Sequence, residues 1–183
     1  MSTKIIVALD YTNPLDALEM TAKLRDVVDG FKINHCLWSQ SVYIKDYTKD
    51  KELFMDLKLW DTPNTVNQVL QKIIDKGCTM TTICTHNNAS VFEAVQPFSK
   101  YVKLLAVTYL TSWTAEDRHD ITNTSRNLMW RNHLDRISPY GFSGIICSAS
   151  DIENIANLEK HYIKVCPGIQ YETENTGQSR TTT

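Results

Sequence analysis

Apolar residues recur along this chain in short runs, at residues 5–9, 30–34, 53–59, 79–85, 102–110, 144–148 and 162–165. Short continuous apolar runs of this kind read as buried strands. The stretches between them carry helical spacing instead. After the third run, Val66, Val69, Leu70, Ile73 and Ile74 fall at i, i+3, i+4, i+7 and i+8, the stripe of a helix laid on a sheet. Thr62-Pro63 opens that helix, with proline where its missing N–H costs nothing, and Lys76-Gly77 closes it. Asn13-Pro14 opens an earlier helix in the same way.

Strands alternating with helices predict an all-parallel α/β fold. An open doubly wound sheet and a barrel both satisfy that rhythm. No Gly-x-Gly-x-x-Gly follows a strand and no Gly-x-x-x-x-Gly-Lys occurs, which removes the usual support for an open nucleotide-binding sheet. Polar residues instead gather where strands end: Asp10, Lys32 and Asn34, Asp56 and Lys58, Thr85-His86, Thr111-Ser112, and Pro167-Gly168. A barrel collects its chemistry at that rim. The expected fold is therefore a TIM (β/α)8-type barrel with seven recognisable strands, forming one domain over residues 1–183. Eight units need about 250 residues, and the polar stretch 171–183 offers no eighth apolar run. The eighth βα unit is expected to be missing or supplied otherwise.

Composition adds exclusions. The 183 residues are 42% hydrophobic, enough for one sizeable core, and the net charge of −2 favours neither nucleic acid nor an anionic membrane. No apolar run is long enough to span a bilayer, and the short one near the N-terminus meets Asp10 too soon for a signal peptide. Five scattered cysteines, most within or beside apolar runs, fit reduced thiols and a cytoplasmic location.

The chemistry centres on residues 56–65. In a strand, positions i and i+2 share a face, which sets Asp56 beside Lys58. Lys32 and Asp61 could complete an alternating array of two acids and two bases. An isolated Asp-x-Lys is more often a buried ion pair that fixes the fold. Convergence of four charges on the catalytic rim of a barrel favours function instead.

Asp56-Leu-Lys58-Leu-Trp-Asp61-Thr-Pro63-Asn64-Thr65 resembles the Asp-x-Lys-x-x-Asp-Ile-Pro-Asn-Thr signature of the orotidine 5′-monophosphate decarboxylases, with Thr62 where isoleucine is usual. The resemblance extends through Ile6-Val-Ala-Leu-Asp10, Phe31-Lys32, the run 105–112, Gly144-Ile-Ile-Cys-Ser148 and Val165-Cys-Pro167-Gly168-Ile169. It implies cofactor-free, metal-free decarboxylation of orotidine 5′-monophosphate to uridine 5′-monophosphate, by a two-fold homodimer. In that scheme Asp10 and Lys32 hold the ribose hydroxyls, and Asp56 faces the substrate carboxylate. Lys58 stabilises and then protonates the C6 carbanion. Asp61 and Thr65 reach the partner's site, Thr111 and Ser112 meet the pyrimidine, and Gln178 closes over the phosphate.

Two departures touch the phosphate grip. Gln170 stands where the family's Pro-Gly-Ile-Arg has arginine, and the Gly-Arg pair that ends an eighth strand has no counterpart. Gly177-Gln178-Ser-Arg180 resembles the family's loop, so Arg180 could partly compensate. A non-catalytic, nucleotide-binding or interaction descendant is one alternative, and another phosphosugar lyase of the same superfamily is a second. Cys84-x-His86 is weak as a metal motif. His35, His119, His133 and His161 are expected at the surface or at caps, and the stretch 113–140 as a loop followed by a long helix.

Overall fold

The computed structural model describes residues 3–39, 45–48, 50–110, 112–114, 116–117, 126–158 and 161–169. Seven strands are present among them: β1 (Ile6–Ala8), β2 (Gly30–Ile33), β3 (Glu52–Leu59), β4 (Met80–Cys84), β5 (Lys103–Val107), β6 (Gly144–Ile146) and β7 (Ile163–Val165). Each pairs in parallel with the next, in the unbroken order β1 to β7. A doubly wound sheet would reverse direction at a switch point, so sequential order selects the curled, barrel-type arrangement. Every apolar run read as a strand contains one. β5 stops at Val107, short of the run's end, and beyond it Tyr109 is buried against Trp113 and the rings of His86 and His133.

The helices are α1 (Pro14–Leu24), α2 (His35–Ser39), α3 (Lys45–Thr48), α4 (Pro63–Asp75), α5 (Ala89–Val95), α6 (Arg126–Ile137) and α7 (Ile152–Leu158). Asn13 caps α1 by accepting from the Leu15 N–H at 3.1 Å. α4 buries Val66, Leu70 and Ile73, the centre of its predicted stripe. Thr62 is its N-cap residue with Pro63 in the first turn, as expected, and the Thr62 hydroxyl meets Thr65 at 3.1 Å without capping the helix. Asp61 accepts from the Thr62 N–H at 2.6 Å just before the helix. Gly77, at φ +71°, ends α4 in the left-handed turn that glycine tolerates best.

Strand side chains alternate between two apolar layers. Leu9, Phe31, Ile33, Leu53, Met55, Leu104, Ala106 and Ile145 face the helices. Phe54, Met80 and Leu105, with Ile6, Ile146 and Val165, form a smaller cluster on the other face. Gly30 lets β2 press onto β3, since a Cβ there would lie 2.6 Å from the Glu52 carbonyl oxygen. Among the described residues, no helix is long and apolar enough to cross a membrane.

Candidate active site

The polar rim begins on the same strand face as Phe54. Alternation carries that face from Phe54 to Asp56 and Lys58, and from Met80 to Thr82. Asp56 is mostly buried, with 14% of its side chain exposed, and takes three partners. The Lys58 ammonium lies 2.8 Å from its Oδ2 and the Lys32 ammonium 3.8 Å away. The Thr82 hydroxyl donates to Oδ1 at 2.9 Å. Lys32 also reaches Asp10 at 3.2 Å, and Asn34 donates to that same Asp10 oxygen at 3.0 Å. The result is a chain of alternating charge, Asp10–Lys32–Asp56–Lys58, running from three neighbouring strands. A buried carboxylate needs such compensation, because an unpaired charge there would be costly.

Periodicity predicts that Asp56 and Lys58 share a face, and they do, but β3 is not regular where they lie. Its register against β4 is Met55 to Thr81 and then Leu59 to Ile83, so β3 carries a bulge between them. Lys58 sits in that bulge at φ +51°, and it is the only non-glycine residue with positive φ among those described. A lysine there has no local reason to favour the left-handed region, which costs on the order of 1–2 kcal/mol. Such strain persists where surrounding contacts over-determine it, and it clusters at functional sites. The compensating contact is the Lys58 N–H donating to the Thr82 hydroxyl at 2.8 Å. Thr82, fully buried, thus holds the lysine by its backbone and the aspartate by its carboxylate. Sequence reasoning missed Thr82, because a threonine within an apolar run looks like an ordinary β-branched strand residue.

Asp61 does not join the array within this chain. It lies exposed at the start of α4, occupied with the Thr62 N–H, and the fourth charge is Asp10 instead. The reason is reach: Asp61 follows the end of β3 and turns with the helix start, whereas Asp10 follows the adjoining β1. Thr65 is exposed on the same first turn of α4, and Ser112 is exposed in the turn after β5. Thr111, Gln170, Gln178, Arg180 and His119 lie outside the described residues.

One histidine expectation is overturned. His133 is buried on α6, not at the surface, with its ring 5.3 Å from those of His86 and Tyr109. Burial, then the nearby His86 and Arg136 charges, push its pKa down to about 4. Helical spacing could have found it, because Met129, Trp130, Leu134 and Ile137 form a buried stripe on α6 that His133 completes. Arg136, one turn on, donates to the Asn87 carbonyl at 2.6 Å. Asn87 in turn ties β3 to β4 through the Leu59 and Cys84 carbonyls, both at 2.9 Å. His35 and His161 are exposed, as expected. Among the described residues, no group of three or more His, Cys, Asp or Glu side chains could hold a metal ion.

Comparison with known proteins places the whole chain in one family. The profile of the orotidine 5′-phosphate decarboxylase / HUMPS family matches residues 3–183. The chain belongs to that family. An orotidine 5′-phosphate decarboxylase of Wigglesworthia glossinidia brevipalpis is 29% identical over 183 residues, which take in 93% of this chain and 78% of the relative. Another from Baumannia cicadellinicola is 32% identical, across 97% of this chain and 75% of its own length. The crystal structure of the orotidine 5′-phosphate decarboxylase from Lactobacillus acidophilus superposes with a TM-score of 0.78 at 26% identity, covering 92% of this chain and 82% of that one. Family membership and the barrel-type fold with seven strands thus agree.

Proposed function

We propose that this chain is a carboxy-lyase that converts orotidine 5′-monophosphate to uridine 5′-monophosphate without a cofactor. The observation that carries this reading is the Asp10–Lys32–Asp56–Lys58 array on the catalytic rim of a decarboxylase-family barrel. Loss of CO2 from C6 leaves a vinylic carbanion that water stabilises poorly. A fixed ammonium aimed at that carbon lowers the barrier, because it is oriented before charge develops. Lys58 fills this role: its side chain is 40% exposed, so it can meet substrate while Asp56 anchors it from below. After CO2 departs, Lys58 supplies the proton to C6. Asp56 faces the departing carboxylate, and Asp10 with Lys32 hold the ribose.

Asp61 and Thr65 complete the site of a second copy in a two-fold dimer. In support, both are exposed, and the adjacent Trp60 is 70% exposed, large for an apolar side chain facing water. Thr111 and Ser112 contact the pyrimidine, and Gln170 and Gln178 the phosphate. The enzyme acts in the cytoplasm, in pyrimidine nucleotide synthesis.

A second reading is a nucleotide-binding descendant without turnover. Gln170 supports it, because a neutral amide replaces the forked charge that grips phosphate best. Incubation with orotidine 5′-monophosphate, following pyrimidine absorbance beside a Lys58→Ala control, separates the two. Turnover above the control is expected. Equal traces at every protein concentration, with the nucleotide still bound, would leave the second reading.

A further inference from the structure

The ends of β6 and β7 carry a pair of cysteines that the decarboxylase reading does not use. Their register runs Gly144 with Ile163, Ile145 with Lys164 and Ile146 with Val165. Continued by one residue, it sets Cys147 opposite Cys166, and the Cys147 N–H donates to the Val165 carbonyl at 3.1 Å. In-register neighbours on adjacent strands lie about 4.8 Å apart, inside the Cα window of roughly 4.4–6.8 Å that a disulfide needs. The two side chains point to the same face, with their sulfur atoms 3.7 Å apart and both thiols free. We propose that Cys147 and Cys166 form a modification site, a dithiol that a hydroperoxide converts to a disulfide joining the ends of β6 and β7.

The two sulfurs have different roles because their surroundings differ. Cys166 is half-buried and Cys147 is buried. Either sulfur can donate to the other, and the deeper burial of Cys147 favours it as the donor. That contact draws the Cys166 pKa below the ordinary thiol value, while the same contact and burial push Cys147 up. Cys166 is therefore the attacking thiolate and Cys147 the resolving thiol. The Cys166 thiolate attacks one peroxide oxygen. The O–O bond breaks, giving a sulfenic acid and hydroxide, which takes up a proton to become water. The Cys147 sulfur then attacks the sulfenic sulfur, losing its proton as a second water departs. Two thiols are oxidised by two electrons, and one hydrogen peroxide is reduced to two waters. Rearrangement is small: the carboxylate of buried Asp151 already fixes the chain after Cys147, accepting from the Ser148 hydroxyl at 2.6 Å and its N–H at 3.3 Å. Cys166 leads directly into Pro167-Gly168, so the cross-link would also fix the start of the segment assigned to phosphate. That last consequence rests on the decarboxylase reading; the thiol chemistry does not.

The test uses the full chain with Cys36, which is exposed, replaced by Cys36→Ser. The protein is treated with hydrogen peroxide, alkylated, and digested with trypsin without reduction. Peptides 137–160 and 165–180 should appear linked, lighter than their sum by two hydrogens, and separate on adding dithiothreitol. Cys147→Ser should lose the link and leave Cys166 reactive toward dimedone, a sulfenic acid trap. Cys78, buried with its thiol pushed up to about 11, is the internal standard, and Cys166 should react at least about 10-fold faster. Recovery of Cys147 and Cys166 as free thiols under peroxide that modifies Cys78 overturns the proposal. Links found only between two chains overturn it as well. Where turnover is present, oxidation should raise KM for orotidine 5′-monophosphate reversibly; an unchanged KM in linked protein overturns the coupling to the phosphate segment alone.

Discussion

β3 carries an acid near each end, and the two have different surroundings. Near its N-terminal end, Glu52 sits in regular strand between Lys103 at 2.6 Å and Lys4 at 3.3 Å. Near its C-terminal end, Asp56 precedes a bulge and shares Lys58 and Lys32 at 2.8 and 3.8 Å. Burial alone would raise the Glu52 carboxyl. Hydrogen bonds from Lys103 and Thr79, the Lys103 charge and Lys4 outweigh it and hold the pKa down to about 2. Glu52 therefore acts as a clamp between strands, with its backbone relaxed and its partners committed. At Asp56 the Lys32 partner is divided with Asp10, and the lysine it holds best sits on strained backbone. Ion pairs of similar composition and equal lysine exposure thus differ in their setting. One clamps regular strands together, and the other holds an ammonium on a strained backbone at the C-terminal rim.

The largest expected effect breaks the strained end. Lys58→Ala should lower kcat/KM by about 1,000-fold or more, while costing less stability than Glu52→Gln, since Asp56 keeps Lys32 and Thr82 as partners. Turnover and urea denaturation on the same sample check both halves. A loss of several kcal/mol would make Lys58 a clamp like Glu52 and erase the contrast.

Thr82→Val, which keeps shape and removes the hydroxyl, should lower kcat by about 10- to 100-fold with little change in KM. Thr82→Ser should stay near the wild type. Equal losses in both variants would mean that the methyl group matters and the hydroxyl bridge does not.

Glu52→Gln should do the reverse, costing about 1–3 kcal/mol of stability with kcat near normal. The depressed pKa also sets a pH window. Stability from Glu52 is complete above its unfolded value of 4.5 and declines as pH falls toward about 2. Acid unfolding of Glu52→Gln should lack that component.

The smallest effect concerns His133. Its folded pKa of about 4 lies below the unfolded 6.5, so the unfolded chain takes the proton first as pH falls. Stability should be intact above pH 6.5 and weaken from there toward pH 4. Chemical denaturation of wild type and His133→Gln across that range should show a flatter dependence in the variant. Parallel curves would mean that His133 keeps an ordinary pKa.

The alternating strands and helices, their order in a barrel, and Asp10, Lys32, Asp56 and Lys58 at strand ends were legible in the sequence alone. Each depends on a pattern written within one short segment: an apolar run, a helical stripe, an acid two residues from a base. Burial of such a segment fixes its faces, so local periodicity carries through to three dimensions. Tertiary structure alone decided the rest. Asp61 turned away with α4, Thr82 crossed from β4 to hold both charged partners of β3, and Cys147 met Cys166. His133 met the rings of Tyr109 and His86. All of these depend on register between strands, or on where a helix lands on the sheet, and no single segment encodes either.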